Sequence, residues 1–363
     1  MKITSDRVIK TGKPATMVRY TTNLAACLLL GLVSMPLPGF TPAQAKSKAP
    51  AADTLETRTI QCPTKQSVGA IVLTTKSAID GLHDIQGTIL HEARGTFAVK
   101  VPKHSVLALI VNSYGAHNSS ELATIKGIDA LKMQMLDMDS DDGNKSSKHE
   151  TLTDKALINI CKIQSLRYLD VARSDVSDIG LKNIAALSNL EQLTLFATDI
   201  TGESFAELPK LPKLQVLDAG ACRLLMSNLR FLPNCKTLRV LRIDSVALTR
   251  EGAQYVSQCP DLVELAIPHS NSVTDYVIAP LVQLKSLKKL DLRQTKVTTK
   301  GIGKLSVLHL ERLELPGTPP YTKAEMALFK QWFPKTDIVV HGGPVVDDET
   351  KQIFAPLSQK RGF

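Results

Sequence analysis

The sequence predicts an α/β solenoid, a right-handed horseshoe or arc with a parallel sheet on its concave side. The first observation is an LxxLxL pattern, seen at Leu190, Leu193 and Leu195, which occurs seven times when the last position is allowed to be Leu, Ile, Val or Ala. The second is its period, because the steps between copies are 24, 24, 24, 24, 25 and 23 residues. The third is a segment with helical apolar spacing between copies, as in Leu181, Ile184 and Leu187.

Each LxxLxL stretch predicts a short strand, because alternate residues of a strand point to opposite sides and the leucines then turn inward. Asp178 is predicted to cap the helix that follows one of these strands. A small polar side chain is expected to satisfy backbone groups in the bend three residues past the last apolar position. Those bend residues are Ser174, Thr198, Cys222, Val246, Ser270, Thr295 and Thr318, of which Val246 departs from the pattern. A unit of this size cannot bury its apolar face alone, so neighbouring units stack.

These features resemble the leucine-rich repeat superfamily, and specifically its cysteine-containing, ribonuclease-inhibitor-like branch. Besides LxxLxL, the resemblance is carried by Val176-Ser177-Asp178-Ile179-Gly180-Leu181, Leu152-Thr153-Asp154, Val273-Thr274-Asp275 and Val297-Thr298. It covers roughly residues 105–340. It implies a fold and a recognition role but no particular ligand, because members of the superfamily bind many unrelated partners.

Residues 1–45 are predicted to be a signal peptide, with a basic start, an apolar core over residues 23–35 and small residues at Ala43 and Ala45. A secreted, periplasmic or cell-envelope location follows. An organelle transit peptide and an uncleaved anchor are the alternatives, although the apolar run is shorter than the roughly 20 residues of a spanning helix. No stable membrane span is expected once the signal is removed. Residues 46–59, rich in Ala, Lys, Pro and Thr, are predicted to form a flexible linker.

The segment ahead of the repeats is predicted to be a β-rich N-terminal cap over residues 60–111, with strands at 68–73 and 96–101. Residues 106–111 resemble a degenerate repeat strand, and the repeats are assigned to 112–320. Met133, Leu136 and Met138 are predicted to form a further strand, followed by an insertion of about nine residues relative to the repeat period. The insertion, residues 139–150, has acids at three positions of a calcium loop. Gly143 and Asn144 depart from that pattern, so a plain solvated loop is the main interpretation.

The end of the array is predicted to be a C-terminal cap over residues 321–340. Thr322 and Glu325 have the spacing of a capping box. The helix that follows carries large apolar residues, and Ile338, Val339 and Val340 predict a last strand. Large apolar residues on a terminal unit close the core of a solenoid. Residues 341–363 are predicted to be a flexible tail.

Catalytic chemistry is not predicted by any motif in the sequence. The part after residue 45 has five cysteines, an odd number that argues against a complete disulfide framework. Small buried apolar residues are the main interpretation of these cysteines, and one disulfide or a catalytic thiol are the alternatives. Gly301 and Gly303 only suggest a phosphate loop and fit a helix turn better. No catalytic residue, metal or cofactor is therefore predicted, and the protein is not expected to be an enzyme.

The outward residues of the strands predict a candidate binding surface on the concave side. Seven strands about 4.8 Å apart span roughly 29 Å, which suits a protein or peptide ligand, or a glycan, better than a small metabolite. Aromatic and arginine side chains dominate binding hot spots, although an ordinary solvated face is the alternative. The predicted partner-binding residues are Tyr168, Asp170, Phe196, Asp218, Arg242, Asp244 and Arg293.

The sequence thus favours an exported, non-enzymatic scaffold that recognises another protein through its concave face. The formal charge of +9 falls to +5 without residues 1–45, which does not imply a nucleic-acid partner. A structural or adhesion protein of the envelope surface is the alternative. An enzyme with its chemistry in residues 60–150 is a further one, and an intracellular adaptor is disfavoured by the export signal.

Overall fold

The computed structural model describes residues 55–76, 87–133, 152–317 and 320–341. The chain divides into two units, Met1–Ala51 and Ala52–Phe363, and every described residue lies in the second. The predicted signal peptide, the loop at residues 139–150 and residues 342–363 of the predicted tail lie outside the described residues, as do Leu136, Met138 and Thr318. No helix within the four described ranges is long and apolar enough to cross a membrane.

A twelve-stranded sheet dominates the described part, in the order β14-β13-β12-β11-β10-β9-β8-β7-β6-β5-β2-β3. From β5 to β14 every neighbouring pair is parallel, whereas β2 is antiparallel to β5 and β3. The strands are β1 (Leu55–Cys62), β2 (Gly69–Thr74), β3 (Thr88–Glu92), β4 (Gly95–Pro102), β5 (Val106–Val111), β6 (Ala130–Met133), β7 (Tyr168–Asp170), β8 (Gln192–Thr194), β9 (Val216–Asp218), β10 (Val240–Arg242), β11 (Glu264–Ala266), β12 (Lys289–Asp291), β13 (Arg312–Pro316) and β14 (Asp337–His341).

The repeat register stacks the central leucine of each LxxLxL copy on the next, and all of them are buried. These leucines are Leu169, Leu193, Leu217, Leu241, Leu265, Leu290 and Leu313. Each strand is three to five residues long, so its apolar face is covered only by stacking with its neighbours. The predicted α/β solenoid with a parallel sheet is confirmed.

The return segments of the repeats are short α-helices and 3₁₀ helices. Two of them, Glu203–Lys210 and Met226–Asn234, are wholly 3₁₀ and contain Pro209 and Pro233, which lack the N–H that an α-helix uses. The α-helices are α1 (Ser113–His117), α2 (Ser119–Leu122), α3 (Asp154–Ile160), α4 (Asp178–Leu181), α5 (Arg250–Val256), α6 (Asp275–Ile278), α7 (Thr299–Lys304) and α8 (Lys323–Trp332). The shorter 3₁₀ helices are Ile184–Ala186, Ala279–Gln283 and Leu305–Val307.

The entry region confirms the predicted strands near residues 68–73 and 96–101 but corrects two other predictions. Residues 55–59 are not a flexible linker, because they belong to β1, which pairs with β4 from Leu55 to Cys62. The register predicted for the strand at Met133 is also wrong. The described strand is Ala130–Met133, and Leu131 pairs with the buried leucines of both neighbours, which fixes the register. Other domain boundaries remain predictions.

The corrected register lengthens the insertion. Ile128 takes the place of the first leucine, and Leu166 follows it 38 residues later, about 14 more than the repeat period. At the other end, the predicted capping box is present: the Thr322 hydroxyl accepts from Glu325 N, and the Glu325 side chain accepts from Thr322 N. The strand after α8 pairs in parallel with β13, so both elements predicted for the C-terminal end form.

A carboxylate ladder links consecutive repeats and corrects the role predicted for Asp178. Ser177, not Asp178, caps α4, because its hydroxyl accepts from Ile179 N. Asp178 instead reaches into the next repeat. Its Oδ2 accepts from the backbone N and the hydroxyl of Thr201, each at 2.7 Å, and its Oδ1 accepts from the N of Ser204 at 2.9 Å and from its hydroxyl at 2.6 Å. Burial raises the pKa of Asp178, but these hydrogen bonds outweigh it and hold the pKa below its ordinary value.

The turn after each of the strands β7 to β12 contains a non-glycine residue in the left-handed region. These residues are Arg173, Ala197, Ala221, Ser245, His269 and Gln294, with φ between 50° and 55°. The backbone N–H there continues the ladder between repeats, as where Ala221 N donates to Asp244 O at 2.6 Å. The conformation is therefore required by the stacking, although it is unfavourable for an L side chain.

Replacing Ala221 with glycine is expected to raise the free energy of unfolding by about 0.5 to 1 kcal/mol, because glycine adopts positive φ without steric cost. Ala221 is exposed, so little packing is lost. The control is Ala247→Gly, at an exposed position without positive φ, where the more flexible glycine is expected to destabilise the fold. Urea unfolding measures both variants, and a loss of stability in Ala221→Gly would contradict the argument.

Candidate functional site

The bends that carry the concave loops are held by the small buried residues predicted for them. Thr198 donates its hydroxyl to Leu195 O at 2.7 Å, and Thr295 does the same to Leu292 O. Ser174 makes the equivalent bond to Val171 O, whereas Ser270 donates to Val246 O in the bend of the preceding repeat. The predicted role of this position is confirmed at Ser174, Thr198, Ser270 and Thr295, whereas Val246 has no polar side chain for it.

Five of the seven predicted binding residues line one depression on the concave face, here called the concave depression. They are Phe196, Asp218, Arg242, Asp244 and Arg293. The remaining lining residues are Glu264, Leu265, Ala266, Pro268, Lys289, Leu290, Asp291, Arg312 and Glu314. The depression therefore follows the outward face of β9 to β13, together with the loops that leave these strands.

Tyr168 and Asp170 lie outside the concave depression. Tyr168 was expected to be an exposed aromatic, but this is wrong, since only 3% of it is accessible. Its ring belongs to a second apolar cluster with Val72, Val106 and Ala130, because β2 and β5 extend the sheet with apolar residues. Asp170 pairs with Lys132 at 3.2 Å and accepts from Ala172 N at 2.9 Å.

Seven of the nine charged side chains that line the concave depression form ion pairs with one another. Arg242 donates Nε and Nη2 to Glu264 at 3.1 and 2.9 Å, and Lys289 approaches the same carboxylate at 3.8 Å. Asp244 is 2.8 Å from the ring nitrogen Nδ1 of His269. These contacts hold each long side chain in one orientation on the sheet.

A second cluster centres on Glu314. Arg312 donates to its Oε1 at 2.8 Å, Arg293 lies 3.2 Å from its Oε2, and His341 contacts the same oxygen at 2.9 Å. Arg293 also binds Asp291 with a shortest distance of 2.6 Å. Burial raises the pKa of Glu314, but the two arginines outweigh it and lower the pKa below its ordinary value. The hydrogen bond to Asp291 raises the pKa of Arg293, so both groups stay charged.

The lining carries four cations and five carboxylates, a formal charge of −1 with histidine neutral. A surface with these internal ion pairs is not suited to binding a polyanion. It offers donors and acceptors of both signs in fixed positions, next to the aromatic ring of Phe196 and the apolar Ala266 and Pro268. This arrangement suits recognition of a partner that also presents both signs of charge.

Asp170 and Asp218 also have a structural role that their selection as binding residues did not include. Each carboxylate accepts a hydrogen bond from the backbone N two residues on, at Ala172 and Gly220, and Asp291 does the same with Arg293. Such bonds order the turn after a strand. This role could have been predicted from the sequence, because Asp recurs at the same position of several repeats. The sequence argument likewise left out Glu264, Lys289, Asp291, Arg312 and Glu314, although opposite charges on neighbouring repeats suggested them.

The thiols are poorly suited to chemistry. Cys62, Cys161, Cys222, Cys235 and Cys259 are all buried and free. Burial raises the pKa of Cys62 to about 11 and that of Cys161, Cys235 and Cys259 to about 12. These thiols stay protonated at neutral pH and are weak nucleophiles. The interpretation as small buried apolar residues is confirmed. In the described part of the chain, no group of three or more His, Cys, Asp or Glu residues is placed to hold a metal.

A family model described as "Leucine Rich repeat" matches residues 162–185, which contain β7 and α4. Together with the stacked parallel strands, this match decides the class of fold. The chain has a leucine-rich repeat fold. The ribonuclease-inhibitor-like branch remains a prediction. No curated protein matches this sequence.

Solved leucine-rich repeat structures resemble the chain only distantly. A leucine-rich repeat protein of Leptospira interrogans is 21% identical, with 60% of this chain and 62% of that one covered and a TM-score of 0.38. An internalin of Listeria monocytogenes is 21% identical, with 62% and 64% covered and a TM-score of 0.41. The yeast Rad7 and Elc1 complex gives 19% identity, 50% and 53% coverage and a TM-score of 0.38. The chain thus spans less than two thirds of each of these structures.

Proposed function

We propose that this leucine-rich repeat chain is a non-catalytic scaffold that binds another protein through the concave depression. The observation that supports it is the grouping of Phe196, Arg242 and Arg293 in one depression of a stacked sheet. Aromatic and arginine side chains carry much of the binding energy at protein interfaces. Because the sheet and the ion pairs already fix these groups, binding a partner costs little further conformational entropy.

The internal ion pairs leave the two arginines able to contact a partner. The side chains of Arg242 and Arg293 keep 19% and 33% of their surface exposed. The two hydrogen bonds from Arg242 to Glu264 use only part of the N–H donors of its guanidinium. A partner carboxylate or carbonyl then adds to the pair instead of replacing it, and the half-buried carboxylates keep their counterions.

Export is part of the same proposal, with a secreted, periplasmic or cell-envelope location. It is supported by the basic start, the apolar core and the small-residue cleavage site of residues 1–45. The partner is then a protein of that compartment or one exposed to it.

The test captures partners with tagged wild-type protein and with Phe196→Ala/Arg242→Ala/Arg293→Ala, here called the floor variant. The matched control is Arg230→Ala/Phe231→Ala/Arg250→Ala, which removes the same residue types from the helical side. The proteins are recovered from the extracytoplasmic fraction of the native cell, and partners are identified by mass spectrometry. A captured partner is then purified, and its affinity for each variant is measured by calorimetry.

We expect one partner to be retained by the wild type and the control, and to bind the floor variant about tenfold or more weakly, as for a hot spot worth 1.4 kcal/mol or more. Equal affinity for the floor variant and the wild type would reject the concave depression as the binding site. Absence of the protein from the extracytoplasmic fraction would reject export.

A further inference from the structure

A row of cations lies along the edge of the solenoid at which the repeat strands begin. Two cations lie one to six residues ahead of each of the strands β9, β10 and β12, with Lys210 at the end of the 3₁₀ helix Glu203–Lys210. The six are Lys210, Lys213, Lys236, Arg239, Lys285 and Lys288, here called the basic edge. Backbone hydrogen bonds join this edge from repeat to repeat, since Val263 N donates to Arg239 O at 2.7 Å and Lys288 N to Val263 O at 2.8 Å. The spacing of the Arg239 and Lys288 backbones is therefore set by the stacked repeats.

The basic edge differs from the concave depression in how its charges are satisfied. Lys213 donates to Asn189 Oδ1 at 2.7 Å, Lys236 to Pro233 O at 2.9 Å and Lys288 to His309 O at 3.4 Å. All three acceptors are neutral. Among the described residues, neither these lysines nor Lys285 forms an ion pair, whereas every Arg and Lys that lines the concave depression does.

Three acidic residues accompany the row. Glu207 pairs with Lys210, Asp261 pairs with Arg239 at 3.4 Å, and Glu311 lies next to Lys288, since Glu311 N donates to Lys288 O at 2.7 Å. Six cations and three acids leave a formal charge of +3 on this edge, against −1 in the concave depression. From β9 to β12 there are three strand steps of about 4.8 Å, so the row is about 14 Å long. That length matches about four residues of an extended polypeptide, which rises about 3.4 Å per residue.

We propose that the basic edge binds an acidic segment of the protein that occupies the concave depression; this rests on the proposed function. Continuity between the two surfaces favours one partner. Arg239 directly precedes Val240 of β10, and Lys288 directly precedes Lys289, which lines the depression. Exposed lysines bonded to neutral acceptors exchange them at little cost for carboxylates, and a row of like charges speeds the encounter with an acidic surface. Proteins that bind single-stranded nucleic acid combine a basic groove with aromatic side chains on which the bases stack, and none of the six residues is aromatic.

The experiment uses a fluorescent peptide of twelve glutamates as the probe, with binding followed by fluorescence anisotropy at low and at physiological salt. The edge variant is Lys213→Glu/Lys236→Glu/Lys288→Glu. Its control, Lys155→Glu/Lys182→Glu/Lys300→Glu, makes the same change in total charge at exposed lysines of the helical side. Circular dichroism confirms that each variant is folded. We expect the edge variant to bind the peptide about tenfold more weakly and the control less than about twofold more weakly, with added salt weakening binding.

Three results would overturn the proposal. Equal losses in the edge variant and the control would show that total charge alone attracts the peptide. Undetectable binding of the peptide to the wild type would show that the row does not hold an acidic chain. Tighter binding of a single-stranded oligonucleotide of twelve thymidines than of the peptide would assign the edge to nucleic acid.

The floor variant separates this proposal from the proposed function. It keeps the basic edge, so it should bind the glutamate peptide as the wild type does while it loses the captured partner. A captured partner that binds the edge variant with wild-type affinity would leave the concave site in place and reject the edge. Weaker binding of the partner to the edge variant, with unchanged binding to the helical-side lysine control, supports the proposal for the basic edge.

Discussion

Replacing Asp178 with alanine is expected to lower the free energy of unfolding by about 3 kcal/mol, a large effect for one side chain. The carboxylate accepts from two backbone N–H groups and two hydroxyls of Thr201 and Ser204. Ser204 is only 2% exposed, so its donors lose their acceptor in a place that water does not reach. Chemical unfolding followed by circular dichroism measures the loss.

The control is Asp199→Ala, which removes a carboxylate at an exposed position in the next turn of the chain. We expect that change to stay within about 0.5 kcal/mol, as surface substitutions usually do. Equal losses of unfolding free energy in the two variants would mean that the change in net charge, and not the carboxylate ladder, lowers the stability.

The pKa of Asp178 adds a dependence on pH to the same measurement. Its pKa is lowered in the folded state, so its contribution is fully present above the unfolded value of about 3.9 and is lost as the pH falls through the folded value. The stability difference between wild type and Asp178→Ala should therefore shrink in acid. A difference that grows as the pH falls would contradict the lowered pKa.

Asp154 and Asp275 repeat the contact that Asp178 makes. Asp154 accepts from Ser177, and Asp275 accepts from Thr298, each through a backbone N–H and a hydroxyl. The sequence shows the Ser/Thr-Asp pairs, but an N-cap argument considers one helix at a time and assigned the carboxylate to its own turn. In a solenoid the neighbouring repeat is as close as the next turn, so the carboxylate bonds across the interface instead.

The regular spacing of the repeat leucines decided how much of the fold could be predicted from the sequence. Where leucines return at a constant step, each strand is identified several times over, and the register of β7 to β13 was predicted correctly. At residues 128–138 two overlapping apolar series fit the same pattern. Only the pairing of Leu131 with Leu109 and Leu169 selects the true one, and that contact is not visible in a local window.

The candidate site was predictable to the extent that it depends on position within a repeat. Strand alternation placed Arg242 and Arg293 on the outward face and grouped them with Phe196. The predicted exposure of Tyr168 was wrong because it depends on β2, which joins the sheet from outside the repeats and brings Val72 to the same cluster. Ion pairing also depends on whether a side chain is long enough to contact the next repeat. The sequence argument did not consider this, so Glu314 was not among the predicted binding residues although it contacts three basic residues.

Phe205→Ala is the second substitution expected to have a large effect, with a loss of about 4 kcal/mol. Phe205 is completely buried and is among the largest such side chains of the fold. It lies in the 3₁₀ segment Glu203–Lys210 between the layers formed by Leu181 and Leu229. Removing the ring leaves a cavity that these short segments cannot close, because Pro209 and the backbone ladder restrict their movement.

Two comparisons test the origin of this loss of stability. The first asks whether it comes from the cavity, and the second asks whether it spreads through the stacking of neighbouring repeats. Phe205→Leu should cost less than about 1.5 kcal/mol, because the equivalent positions in the neighbouring repeats already hold leucine. Hydrogen exchange should show faster opening in the repeats on either side of Phe205, since each repeat is stabilised through its nearest neighbours. If leucine costs as much as alanine, the ring makes a contact that volume alone does not replace. If exchange rises equally at Leu313, the array unfolds as one unit and the nearest-neighbour description fails.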